Sequence, residues 1–194
     1  MVSLLPILSG CPPLFLRFCP DALDSHNAAS LSDQHCDLVV RTRGAVFILR
    51  RMNSHRKGQL DLTIEFEELR HPLTVRTADC YVTDDRGRRI NLTGVHYQTG
   101  PNAYITDYAD DTGQNTLRDV YLLDPATKRL ALSFGSGNEE ISETMVLHLR
   151  GMEVGGYPIS LVQPYRLDCD ALRRERPCLQ RWFGVGVFAR YCKP

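Results

Sequence analysis

Apolar residues in this chain recur with period two, and that alternation limits its fold more than any other feature. Leu60, Leu62, Ile64 and Phe66 alternate with Asp61, Thr63, Glu65 and Glu67, which gives an extended segment one apolar face and one acidic, wet face. Met145, Leu147 and Leu149 alternate in the same way with Val146, His148 and Arg150, so His148 is expected to point outward. Further strands are expected at 37–40, 45–50, 73–83, 88–97, 117–123, 129–134, 157–162 and 182–192. The last of these puts Phe183, Val185, Val187, Ala189 and Tyr191 on one face and assigns Trp182 to the core. Thr42-Arg43-Gly44, Asp84-Asp85-Arg86-Gly87, Asp124-Pro125-Ala126-Thr127 and Gly155-Gly156 supply turn chemistry between strands, and the third reads as a hairpin connection. No stretch shows three turns of helical amphipathicity; 107–116 and 169–176 are each expected to hold a single turn. Nine or ten short strands at regular spacing predict an all-β, antiparallel β-sandwich, immunoglobulin-like or jelly-roll-like, with a β-barrel as the alternative.

A chain of 194 residues accommodates one domain with an extension. Residues 11–35 are interrupted by Pro12, Pro13 and Pro20 and turn small and polar from Asp24. They divide the chain into a leader and tether over 1–35 and a single β-rich domain over 36–194. Lys plus Arg equals Asp plus Glu at 23 each, so charge gives no case for nucleic acid or for an anionic membrane surface. Twenty of those 23 cations are Arg, the exceptions being Lys57, Lys128 and Lys193. The Arg clusters at 86–89 and 173–176 contain or adjoin acidic residues and read as solvated turns.

Seven cysteines set the expected compartment. The first, Cys11, closes the string Leu8-Ser9-Gly10-Cys11 after a short apolar leader. That string resembles the lipobox of bacterial lipoproteins, in which a peptidase cuts before the cysteine and the thiol then carries lipid. The resemblance covers only these four residues. It implies a lipid anchor on Cys11 and a domain facing the periplasm, with secretion as the alternative, and contact with the membrane through lipid alone. The other six, Cys19, Cys36, Cys80, Cys169, Cys178 and Cys192, are an even set suited to disulfides. Cys169 and Cys178 flank a loop of eight residues and are expected to pair. Cys36 with Cys80 and Cys19 with Cys192 are the expected remaining bridges. No C-x-x-C pair or Cys–His zinc spacing occurs.

The strongest candidate for chemistry is Asp107-Tyr108-Ala109-Asp110-Asp111-Thr112-Gly113. Asp107, Asp110 and Asp111 on one short loop suit a hard cation such as Ca²⁺, although the spacing is not that of an EF-hand. The glycine pairs at 135–137 and 184–186 lack the Lys-Ser/Thr of a phosphate loop. Six histidines are present without a Gly-x-Ser-x-Gly elbow, so no catalytic residue is assigned. The resulting expectation is a lipid-anchored module that binds a protein partner, such as an immunity or inhibitor protein of the cell envelope. The alternatives are a Ca²⁺-dependent carbohydrate-binding module or hydrolase, using Asp107, Asp110 and Asp111 with Tyr104 and Tyr108, and a viral or phage structural protein.

Overall fold

A computed structural model describes residues 16–21, 29–32, 36–56, 59–98, 103–109, 116–135 and 142–169. Their elements are thirteen antiparallel strands and one 3-10 turn. In chain order the strands are β1 (Leu16–Pro20), β2 (Ala29–Ser32), β3 (Asp37–Thr42), β4 (Ala45–Arg56), β5 (Gln59–Leu69) and β6 (Leu73–Arg76). After the 3-10 turn at Thr77–Asp79 come β7 (Cys80–Asp84), β8 (Arg89–Gln98), β9 (Tyr104–Tyr108) and β10 (Val120–Leu123). The series ends with β11 (Arg129–Gly135), β12 (Thr144–Val154) and β13 (Tyr157–Leu167).

The expected all-β antiparallel class holds, but the sheet closes into a barrel, not a sandwich. Neighbours run β1-β13-β12-β7-β8-β11-β5-β4, and β4 pairs back onto β1, making eight strands in a ring. Closure rests on β1, where Phe18 faces Leu167 of β13 on one side and Met52 of β4 on the other. A sandwich and a barrel bury the same alternate residues, so periodicity alone does not separate them. The interior is packed solid: Phe18, Phe47, Phe134, Tyr121 and Tyr165 are each at most 2% exposed. This is a filled core, not a channel.

Several expectations need correction. Leu16–Pro20, placed in the tether, is a barrel strand, and Ala29–Ser32 pairs with β3; regular structure therefore starts well before residue 36. Of the prolines that suggested a tether, Pro20 sits where a strand tolerates it, as the last residue of β1; Pro12 and Pro13 lie outside the described residues. Asp107 and Tyr108, expected in a helical turn, belong to β9. Asp124–Thr127 is not a hairpin connection, because β10 pairs with β6 while β11 pairs with β5 and β8. The expected strand at 182–192 lies outside the described residues.

The cystines also differ from expectation. Cys19 bonds Cys36, fastening the end of β1 to the start of β3. Cys80 is instead a buried free thiol whose pKa burial pushes up to about 12. Cys169 is disulfide-bonded, while Cys178 and Cys192 lie outside the described residues. The Cys19–Cys36 link spans 17 residues and restricts the unfolded chain accordingly. Replacing both cysteines with serine is expected to lower unfolding free energy by about 3 kcal/mol, read from urea denaturation; an unchanged midpoint and slope would show that β1 stays docked without the bond.

β6, the 3-10 turn and β7 run in succession along β12, and the β12 register slips between Leu149 and Met152. Gly151 sits at this slip, where an added Cβ would lie 2.3 Å from the Arg76 carbonyl oxygen. Backbone lies directly against the glycine, so no side chain can swing aside. Gly151→Ala is expected to cost about 2–3 kcal/mol by overpacking, visible as a lower denaturation midpoint, whereas Gly87→Ala should report only the strain of its positive φ with no clash.

Candidate functional site

The pairing of β7 with β8 stops after Tyr81 and Asn91. Beyond that point the two walls diverge and each takes a new neighbour: β6 pairs with β10, and the second half of β8 pairs with β9. The segment Thr116–Asp119 bridges the two additions. Thr116 N–H donates to the Tyr108 carbonyl at 3.0 Å, and Thr77 N–H donates to the Asp119 carbonyl at 3.0 Å. Among the described residues β9 and β10 are each paired on one side only.

Side chains fix the underside of this region. Tyr121 is 2% exposed and its ring meets that of Tyr97 edge-on at 5.9 Å. Its hydroxyl accepts the Arg118 backbone N–H at 3.1 Å. Burial raises the Tyr121 pKa above the usual phenol range, opposed by that N–H and reinforced by Asp107. Arg118 Nε stands 3.2 Å from Asp107 Oδ2. This is a charge contact without hydrogen-bond alignment, so that oxygen has no hydrogen-bond partner.

The outward positions of the two strands carry large exposed apolar side chains. Leu122 is 74% exposed, Tyr104 60%, Val120 50% and Tyr108 40%. Val120-Tyr121-Leu122-Leu123 is a run of four apolar residues in a strand. Alternation forces two of them outward once Tyr121 and Leu123 face the core. That run is the signal in the sequence: it marks a strand, and the pairing with β6 decides which half faces outward.

A second cluster lies on the outer wall of β7, β8 and β12. The Arg89 guanidinium stacks over the Tyr81 ring at 4.0 Å, and Tyr81 stacks on His148 at 4.4 Å. His148 Nε2 shares a hydrogen bond of 3.1 Å with Thr83 Oγ1, while Nδ1 is buried without a partner. His148 does point to the outer face, as its alternation predicts.

Of the predicted site residues, Asp107 is buried against Arg118 and Tyr121. Asp110 and Asp111 lie outside the described residues, as does Cys11. No group of three metal-ligating side chains forms around Asp107 among the described residues. Comparison with known protein families, with curated proteins and with solved structures returned no match.

Burial, and then the positive charges of Arg150 and Arg89, hold the His148 pKa below its ordinary value. The native protein therefore takes up this proton at lower pH than the unfolded chain does, and stability declines as pH falls below about 6.5. His148→Gln keeps a partner for Thr83 and removes the titration. Wild type is expected to lose more stability than the variant between about pH 7 and pH 5; equal losses in denaturant titrations would refute this assignment.

Proposed function

We propose that this chain is a protein-binding module of the bacterial cell envelope, carried at the membrane by lipid on Cys11, whose partner docks on the face formed by β9 and β10. One observation carries the docking face. Of the six large apolar side chains exposed among the described residues, four (Tyr104, Tyr108, Val120 and Leu122) belong to these two short strands. They sit beside strand edges that, among the described residues, are paired on one side only. Apolar surface gathered next to open sheet edges is characteristic of an interaction site.

Oxidised Cys19, Cys36 and Cys169 support the placement outside the cytoplasm. Within this class, an immunity or inhibitor protein needs only a rigid scaffold and a surface that occludes its target, and a filled barrel supplies that scaffold. The calcium-dependent reading draws less support, because Arg118 already faces Asp107.

A photoreactive benzophenone amino acid at position 122, in the full chain within the host envelope, tests the docking face. Irradiation is expected to give a discrete protein adduct that is lost when Val120→Lys is added. The same probe at the exposed position 67 of β5 should give none. Absence of any adduct from position 122 overturns the proposal.

A further inference from the structure

The edge of β10 is complementary to itself. Because the Asp119 carbonyl accepts from Thr77 and the register continues through Tyr121–Val75 and Leu123–Leu73, alternate residues bond toward β6. The backbone N–H and C=O groups of Val120 and Leu122 are left at the opposite edge. Their side chains, with those of Arg118 and Asp124, are exposed.

Resting on the reading of β9 and β10 as a docking face, we infer that the partner seated on β10 is a second copy of this chain. The two β10 strands pair antiparallel about a two-fold axis at Tyr121. In that register Val120 lies opposite Leu122 of the other copy, the two form hydrogen-bonded pairs in both directions, and Arg118 lies opposite Asp124. Shifting the register by two residues either way keeps the hydrogen-bond parity but sets Arg118 beside Leu122 or beside Ala126. Only the register centred on Tyr121 matches charge with charge and apolar with apolar.

Arg118 directs Nε to Asp107, which leaves the rest of its guanidinium fork to reach a carboxylate across the axis. Asp124 Oδ1 accepts the Ala126 N–H at 2.7 Å, leaving Oδ2 for that guanidinium. The pairing is isologous, closes at two copies and continues the β12–β6–β10 sheet across the axis. An edge of four residues makes a small interface, so the dissociation constant is expected on the order of 100 µM.

Sedimentation equilibrium of the full chain over about 10 µM to 1 mM tests the pairing. Wild type is expected to shift from monomer to dimer across this range, and Leu122→Lys is expected to stay monomeric. Asp124→Arg opposes two arginines at each end and should weaken self-association at least tenfold, as should Arg118→Asp, which opposes two aspartates. Mixing those two variants restores one complementary pair at each end, so a heterodimer should form at wild-type concentrations. Asp124→Arg and Leu122→Lys retain the Arg118–Asp107 contact, so the outcome does not depend on the Arg118 variant folding.

Wild type that remains monomeric to 1 mM overturns the inference, and Asp124→Arg that dimerises like wild type overturns the register. A monomeric chain whose position-122 probe still captures a different protein leaves the docking face standing and removes only the second copy. A monomeric chain with no adduct removes both.

Discussion

Closure of the barrel depends on five residues near one end of the chain. Leu16–Pro20 must pair with β13 and with β4 at once, and without them the facing edges of both strands would present unpaired backbone groups. Phe18 holds the strand from inside, at 1% exposure. The Cys19–Cys36 bond holds it from its end. Cys36 has φ of 56°, a left-handed conformation that costs a non-glycine residue on the order of 1 kcal/mol. The chain turns there into β3, so the cystine fixes both the turn and the closing strand. β3 and β1 then lie end to end along the same edge of β4.

The exposed apolar side chains of β9 and β10 are a consequence of how the opposite part of the wall is built. A single continuous pairing of β7 with β8 would leave no room for extra strands. Instead the 3-10 turn at Thr77–Asp79 and the slip in β12 around Gly151 displace β6 from the path of β7. β6 and the second half of β8 then each need a neighbour, and β10 and β9 fill those places. Tyr97, Tyr121 and Asp107 plug the underside. Buried anchors on alternate residues hold both short strands while their other residues are presented outward.

The strand positions were legible in the sequence where alternation was strong. The Leu60–Phe66 alternation lies within β5, the Met145–Leu149 alternation lies within β12, and the turn glycines at 44, 87 and 155–156 all have positive φ. Closure was not legible, because it depends on which strands meet across large sequence separation, and period two is indifferent to that. β1 was missed because five residues bounded by proline offer too little alternation to stand out. The cystine was mispaired for a related reason: Cys19 and Cys36 are brought together by β1 and β3 meeting at β4, a long-range fact. Cys80 lies on the inward face of β7, so its burial followed from parity once the strand was placed. The exposed apolar residues of β10 were half legible. Four apolar residues in succession within β10 required two to face out, but which two depended on the pairing with β6.

Exposed strand edges invite indiscriminate association, and folded proteins usually blunt them with charge. At alternate positions along this edge the exposed side chains run Arg118, Val120, Leu122 and Asp124, so that opposite charges flank two apolar residues. Like charges at both ends would repel every copy of the same strand. Opposite charges repel a parallel neighbour, leave a shifted antiparallel one with charge against apolar side chains, and match in a single antiparallel register. The same two residues are also tied into the fold, Arg118 through Asp107 and Asp124 through the turn to Ala126, which fixes their positions before any partner arrives. Pre-positioned charge of this kind reduces the ordering that association requires and rejects ill-matched strands through unpaired or opposed charge. An edge four residues long can therefore be selective while remaining weak.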